Sequence, residues 1–144
     1  MLKIRAYESG DVAVMAELMG ELGYPTSVDQ MNRRMSRIMN NKEYQTYVAV
    51  IDDTVVGMIG IRIALNYELD KEIIQIISLV TKSAFRGRGV GRALIKFAEQ
   101  KSIEQGAEII YLTSGIKAER MEAHDFYKAK GFEINGYRFV KALK

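Results

Sequence analysis

Apolar residues near the start of the chain recur first at every second position and then at every third or fourth. Leu2, Ile4 and Ala6 alternate with charged residues, which is the period of a strand with one buried face. The pattern therefore predicts a strand from Leu2 to Tyr7. The wider spacing that follows is typical of a helix, because residues three and four apart share one helix face.

Two amphipathic helices are predicted next, separated by a short loop. The first follows the candidate capping residues Ser9 and Asp11 and is stopped by Gly23 and Pro25. The second begins near Ser27. Their apolar stripes are Val12, Met15, Ala16, Met19 and Leu22 in the first helix and Met31, Met35, Ile38 and Met39 in the second.

The middle of the chain predicts three strands. Tyr47 to Ile51 and Val55 to Ile63 are rich in β-formers and are joined by Asp52-Asp53, which favours a hairpin. Ile73 to Thr81 is almost continuously apolar, as in a central strand buried on both faces. The second of these strands also contains glycines that favour a bulge or bend, Gly57 and Gly60.

The remaining elements alternate between helix and strand. We predict a helix from Gly89 to Gln105, a strand from Ile109 to Leu112 and a helix from Arg120 to Lys130 that ends at Gly131. The last predicted strands are Phe132 to Ile134 and Tyr137 to Val140. The order is βααβββαβαββ, an α/β chain, and since no linker or repeat interrupts it we expect one domain over residues 1–144.

The composition excludes several kinds of site. The chain has no cysteine and one histidine, His124, so we expect neither disulfides nor a metal site. No segment approaches the roughly 20 apolar residues of a membrane span, and the first residues do not resemble a signal peptide. We therefore expect a cytoplasmic protein with no membrane partner. Its net charge of +3 suits a polyanionic ligand but is too small to indicate nucleic acid.

One glycine-rich turn carries the clearest chemistry. It lies directly after the buried strand and directly before an amphipathic helix, and it reads Arg86-Gly87-Arg88-Gly89-Val90-Gly91. Glycines bring backbone N–H groups close to a ligand, and the helix N-terminus adds unsatisfied donors, so this turn suits phosphate oxygens. Arg86, Arg88 and Arg92 would add charged donors. The alternatives are a plain turn with solvated arginines and an RNA-binding segment of the Arg-Gly-Gly type.

This turn resembles the pyrophosphate loop of the GNAT superfamily of acetyl-CoA-dependent N-acetyltransferases, Gln/Arg-x-x-Gly-x-Gly/Ala, which Arg86, Gly89 and Gly91 satisfy. The resemblance extends to the C-terminal segment Ala123-His124-Asp125-Phe126-Tyr127 with Gly131-Phe132 downstream. It implies a mixed, mostly antiparallel sheet of about seven strands with helices on both faces, and acetyl-CoA as co-substrate.

The resemblance also implies which residues hold the cofactor. The strand before the loop splays from its neighbour in this family, and backbone groups there bind the pantetheine arm. By position these would belong to Leu79, Val80 and Thr81. Main-chain N–H groups for the pyrophosphate would follow Arg86, and they map to Gly87, Arg88, Gly89, Val90, Gly91 and Arg92.

Tyr127 matches the family's tyrosine near the CoA sulfur, which implies a general acid that protonates the leaving thiolate; the alternative is that it only packs on the sheet. Several relatives carry a glutamate base on the strand before the loop, but Gln75 stands at the matching position. Glu72 is the nearest carboxylate and would act through water, or the enzyme has no dedicated base. His124 is expected to cap or pack, and Arg120 replaces an asparagine that contacts the cofactor arm in many relatives.

The resemblance implies an enzyme that acetylates the amine of a small molecule similar to an aminoglycoside, a polyamine or an amino acid. Glu17, Glu21 and Asp29 lie in the region that shapes the acceptor site in the family and would suit a cationic acceptor. The alternatives are a non-catalytic acyl-CoA sensor and a protein lysine or N-terminal acetyltransferase. Pairing through Tyr137 to Val140 would make a homodimer, and a monomer stays equally open.

Overall fold

The computed structural model describes residues 1–114 and 121–143. The strands are β1 (Leu2–Ala6), β2 (Tyr44–Ile51), β3 (Thr54–Ala64), β4 (Ile73–Thr81) and β5 (Ile110–Leu112), and the helices are α1 (Val12–Leu22), α2 (Val28–Met39), α3 (Val90–Glu104) and α4 (Met121–Ala129). Short 3-10 turns lie at Ser9–Asp11 and Ser83–Phe85. These elements follow the predicted order up to α4, although Arg120, the predicted first residue of that helix, lies outside the described residues.

The strands form one mixed sheet in the order β1-β2-β3-β4-β5. The pairs β1-β2, β2-β3 and β3-β4 are antiparallel, and β5 pairs with β4 in parallel. The predicted hairpin between β2 and β3 is confirmed, with Asp52 and Asp53 both at positive φ, 48° and 62°. The mixed, mostly antiparallel α/β fold is likewise confirmed.

Helices cover both faces of the sheet, as predicted. On one face, a core of β2, β3 and β4 side chains contacts α1 and α2; its buried members include Val48, Met58, Val80, Leu18 and Met31. On the other face, α3 packs over the alternate side chains of the sheet, including Ile59, Ile74 and Ile76. The helix contributes Leu94 and Ile95 to this second core. The period of two along β3 thus sends Met58 to one core and Ile59 to the other.

Local signals set the helix ends where the sequence places them. The Ser27 hydroxyl accepts the Gln30 N–H (3.1 Å) while the Gln30 side chain accepts the Ser27 N–H (2.9 Å), a capping box at the start of α2. Gly23 follows α1 in the left-handed region at φ 107°. Gly131 follows α4 in the same way at φ 92°.

Two bulges disturb the ladders of β3. Val56, next to Gly57, is an extra residue of β3 against β2. Ile77 is an extra residue of β4, because Gly60 faces Ser78 while the next residue of β3 already faces Ile76. A bulge near the two glycines was predicted, and the structure places one in each ladder.

The two predicted C-terminal strands are wrong. Residues 132–143 form no strand, and beyond Phe132 the large apolar side chains lie in solvent, with Ile134 70%, Tyr137 88% and Phe139 92% exposed. Alternation and β-propensity produce a strand only where a partner completes the ladder. Within the described chain nothing pairs with this segment, so the sheet has five strands rather than about seven.

Asp11 joins β1 to the first helix. Its carboxylate accepts both arms of the Arg5 guanidinium (2.8 and 3.0 Å) and the Glu8 N–H (2.8 Å). The sequence predicted Asp11 as a helix cap, but its side chain makes no capping bond to α1. The Arg5 hydrogen bonds, with the Glu8 N–H, hold the pKa of this carboxyl below its usual range although burial opposes them.

We expect Asp11→Asn to destabilise the protein by about 1–2 kcal/mol at pH 7, because it removes a charge-assisted fork from a buried side chain. The native pKa is lowered, so this stabilisation is fully present above the unfolded pKa of about 3.9 and is lost as the pH falls through the native pKa. Urea unfolding at several pH values measures it. Glu8→Gln is the control, since that carboxylate is 4.0 Å from Arg5 and its side chain is 72% exposed. Equal losses in both variants would contradict the assignment.

Candidate active site

The β4 strand has an open edge. It pairs with β5 only through Ile74, Gln75 and Ile76, whereas it continues along β3 as far as Thr81. Beyond Ile76 no described strand lies on the β5 side of β4. The described pairing is therefore compatible with the splayed edge expected beside Leu79, Val80 and Thr81, and it ends just before the Ile77 bulge.

Backbone alternation determines which groups face this gap. The Lys82 N–H donates to the Val56 carbonyl (2.8 Å), so by the alternation of an antiparallel ladder the backbone groups of Val80 also turn toward β3. Leu79 and Thr81 turn the other way. The Thr81 carbonyl accepts the Arg86 Nε–H (3.3 Å) from the loop. Of the three predicted residues, Leu79 and Thr81 thus present backbone groups to the gap, while the Val80 side chain is buried in the α1 and α2 core.

The glycine-rich turn leads from β4 into an uncapped helix. Gly87 and Gly89 have positive φ, 79° and 83°, where a side chain is strained. Gly89 is the N-cap of α3, and the first helical bond runs from the Ala93 N–H to the Gly89 carbonyl (3.0 Å). The N–H groups of residues 90–92 therefore have no partner within the helix, and the helix dipole adds partial positive charge at the same point.

Three arginines surround this turn. Arg86, Arg88 and Arg92 are all exposed. Arg86 lies against the end of β4 through its bond to Thr81, and the Arg88 guanidinium lies 5.0 Å from the centre of the Phe85 ring. The place is electropositive in both its backbone and its side chains, which suits an anionic ligand.

Glycine lets two neighbours approach the start of α3. A Cβ on Gly57 would lie 3.0 Å from both the Val80 carbonyl and Val90 Cγ1, and one on Gly91 would lie 3.4 Å from Phe126 Cζ. Gly57 therefore allows β3 to pack closely against α3. The same glycine also lies beside a bulge. The contact at Gly91 brings α4 to the loop, so the structure places the predicted acid helix beside the predicted phosphate site.

Tyr127 is half-buried on α4, next to Phe126. Its ring centre lies 5.6 Å from that of Phe126 and 6.1 Å from that of Phe132. This aromatic group fixes Tyr127 on the helix that contacts the start of α3. His124, also half-buried, is on the same helix. Arg120 falls outside the described residues.

Glu72 is not part of this arrangement. It is exposed and precedes β4. It lies five residues before the bulge at Ile77, which is about 16 Å along an extended chain. The structure therefore separates the predicted base from the open edge.

Two carboxylates expected near the acceptor have other partners. Glu21 Oε1 accepts the Ser83 N–H (3.0 Å) and the Ser83 hydroxyl (2.8 Å), and Glu17 pairs with Lys82 (3.6 Å). The bonds from Ser83, with Arg86 and Lys82 nearby, lower the pKa of Glu21. These contacts hold α1 to the turn before the loop. The sequence analysis missed this clamp because Glu21 and Ser83 are 62 residues apart.

Two kinds of feature are absent from the described residues. No group of His, Asp or Glu side chains there is arranged to hold a metal ion. No helix among residues 1–114 and 121–143 has the length and apolarity needed to cross a membrane.

The sequence of the chain is similar to those of N-acetyltransferases. It is 34% identical over 96 residues to an aminoalkylphosphonate N-acetyltransferase of Salmonella typhimurium, a match that covers 67% of this chain and 61% of that protein. It is 28% identical over 133 residues to an uncharacterized N-acetyltransferase of Bacillus subtilis, covering 90% of this chain and 87% of the relative.

Solved structures give the same fold. A GNAT family acetyltransferase from Staphylococcus aureus superposes with a TM-score of 0.85 at 26% identity, covering 99% of this chain and 98% of the other. An aminoglycoside acetyltransferase from an uncultured soil metagenomic sample superposes with a TM-score of 0.79 at 21% identity, over 99% and 97% of the two chains; at that identity the likeness concerns the fold alone.

The family assignment covers most of the chain. Residues 12–132 match the acetyltransferase (GNAT) family. That range includes the open edge of β4, the glycine-rich turn and α4, the elements from which the site is built. The chain belongs to the GNAT acetyltransferase family.

Proposed function

We propose that this protein transfers the acetyl group of acetyl-CoA to the amine of a small molecule, with both substrates bound together. The observation that carries the proposal is the open edge of β4, which the glycine-rich turn connects to the uncapped N-terminus of α3. One surface offers strand-like backbone groups and the next offers amide donors for phosphate. Coenzyme A matches both surfaces in the same order, because the amide groups of its pantetheine arm are joined to a pyrophosphate.

The described residues fit the cofactor. Backbone groups of Leu79 and Thr81 would bind the amides of the pantetheine arm, and Val80 would support them from the core. The N–H groups from Gly87 to Arg92 would bind the pyrophosphate, helped by the guanidinium groups of Arg86, Arg88 and Arg92. When bound, acetyl-CoA supplies an acyl group already activated as a thioester.

Tyr127 is proposed as the general acid that donates its phenolic proton to the leaving sulfur. A phenol with a pKa of about 10 protonates a thiolate, whose conjugate thiol has a pKa of about 8.5, only where that thiolate is poorly solvated. The Phe126 and Phe132 rings beside Tyr127 support the proposal, because apolar neighbours would reduce the solvation of a thiolate bound there.

The carboxylates considered as bases or acceptor contacts offer no direct route for the amine proton, since Glu21 and Glu17 bond to Ser83 and Lys82 and Glu72 lies before β4. Glu72 would need a chain of water molecules to act over about 16 Å. We therefore propose that the acceptor binds in its neutral form or loses its proton to solvent at the open side of the gap. The role of Glu72 stays a prediction.

The acceptor is proposed to be a small molecule because the relatives are named for such substrates. One is named for an aminoalkylphosphonate, an amine that also carries a negative charge, and a structural neighbour is named for aminoglycosides, which carry several positive charges. The amine is common to both classes. Acetylation of a protein amine and pairing into a homodimer stay predictions.

We expect acetyl-CoA-dependent release of free thiol when the purified protein meets a panel of small primary amines. The release is followed with a thiol reagent, and mass spectrometry of the product identifies the acetylated amine. Binding of coenzyme A by calorimetry without release for any amine would point to the acyl-CoA sensor instead. Absence of binding at millimolar coenzyme A would remove both functions.

We expect Gly89→Ala to weaken coenzyme A binding by about tenfold or more, because a side chain at positive φ costs about 1 kcal/mol or more and shifts the N–H groups of the loop. Gly106→Ala is a matched control. Gly106 has nearly the same φ, 82° against 83°, and equally open surroundings, but it follows the other end of α3. Both variants should lose similar stability in thermal unfolding, and only Gly89→Ala should bind less tightly. Equal affinities would contradict the loop assignment.

We expect Tyr127→Phe to lower kcat by about 10²- to 10⁴-fold, the usual contribution of a general acid, with the coenzyme A affinity unchanged. Tyr137→Phe is the control, because that side chain is 88% exposed in the C-terminal segment. Steady-state kinetics and calorimetry separate the two effects. An unaltered kcat in Tyr127→Phe would leave Tyr127 a packing role only.

A further inference from the structure

A polar strip crosses the sheet beside the α1 and α2 core. The strand register sets side chains of this face in successive rows, because every second residue points the same way. The first row belongs to the core and the next two are polar or small; the rows are Val48, Met58 and Val80, then Thr46, Gly60 and Ser78, then Tyr44, Arg62 and Gln75.

The middle row leaves space and an unused hydroxyl. A Cβ on Gly60 would meet only the end of the Met58 side chain, at 3.8 Å. The Ser78 hydroxyl is buried and has no hydrogen-bond partner among the described residues. A buried hydroxyl without a partner costs free energy, which a bound polar group would offset.

Arg62 lies in the outer row as a positive charge without a carboxylate. It is half-buried, and its Nη1–H donates to Gln75 Oε1 at 3.4 Å. None of the ion pairs among the described residues includes it. A guanidinium held on a sheet face by a neutral amide keeps most of its donors available for an anion.

This charge lies close to where the acetyl group would be presented. The open edge of β4 begins at Ile77, and Gln75 precedes it by two residues, about 7 Å along the strand. With the pyrophosphate at the loop and the pantetheine arm along Thr81 and Leu79, as proposed above, the thioester would come next along β4, near Ile77. An acceptor whose amine reaches it there would extend its other end over Gln75 and Arg62. The distance suits a molecule of a few carbon atoms.

The carboxylates that would favour a cationic acceptor are otherwise used. Glu21 bonds to Ser83 and Glu17 to Lys82. Asp29 is exposed in the first turn of α2, where its negative charge interacts favourably with the helix dipole. None of the three faces Arg62 through a described contact.

We propose that the acceptor is an amine that carries an anionic group, a carboxylate, phosphonate or sulfonate, and that Arg62 binds this group. The proposal rests on the acetyltransferase function proposed above and names the substrate class of that site. The neutral side chain of Gln75 contributes to this anion site. A glutamate at that position would form an ion pair with Arg62 and neutralise its charge.

The experiment compares small amines that differ in their second group. The second group is anionic in 2-aminoethylphosphonate, β-alanine and taurine. It is a neutral hydroxyl in ethanolamine and a second ammonium in putrescine. We expect the anionic amines to have the highest kcat/KM. Arg62→Gln should lower the preference for them over ethanolamine by about 10- to 100-fold, mainly through KM, as expected for the loss of a charge-assisted hydrogen bond.

Three further variants control this result. Gln75→Glu keeps Arg62 in place and should remove the anion preference by neutralising it. Arg62→Lys should restore part of the preference, since it keeps the charge but not the fork. Arg37→Gln removes an exposed charge from the last turn of α2 and should not alter the preference. Melting temperatures show whether each variant folds.

Calorimetry of the coenzyme A-loaded protein with 2-aminoethylphosphonate separates this inference from the proposed function. Binding that depends on Arg62 without any acetyl transfer would support the anion site and overturn the enzyme. Acetylation that favours putrescine or ethanolamine, or that keeps its anion preference in both Arg62→Gln and Gln75→Glu, would overturn the anion site and leave the enzyme.

Discussion

The parallel ladder between β4 and β5 stops after three residues, and the site depends on that interruption. Strands that remained paired would satisfy every backbone group of β4 and leave no room beside it. Because the pairing ends at Ile76, the second half of β4 keeps one ladder, with β3, and exposes the other edge. The Ile77 bulge lies at the point where the two strands separate, as bulges commonly do where pairing ends.

The rest of the molecule keeps this interruption in place. Two cores on opposite faces hold β3 and β4 between helices, so the open edge belongs to a rigid strand. Gly57 lets Val90, at the start of α3, pack closely against β3. The bonds from Ser83 to Glu21 fix the turn between strand and loop against α1. The cofactor side and the acceptor side are therefore built on one connected frame.

What could be predicted from the sequence was mostly local. The hairpin at Asp52-Asp53, the start of α2 near Ser27 and the glycine-rich turn each depend on a few adjacent residues, and each is found. Contacts between residues far apart in the sequence could not be predicted. Phe132 to Ile134 has the alternating pattern of a strand, but no described strand pairs with it. For the same reason the Glu21–Ser83 clamp and the Arg62–Gln75 contact went unnoticed, since neither residue type is unusual at its own position.

The open edge of β4 also has a consequence for how such a site would vary between related proteins. Its groups at Leu79 and Thr81 are peptide N–H and C=O, which every residue except proline possesses. The Leu79 side chain packs against the core under α3, so it is constrained by that core. If these backbone groups bind the cofactor as proposed, homologues could carry different residues at these positions without losing affinity. An alignment would then reveal the loop glycines but not this part of the binding surface.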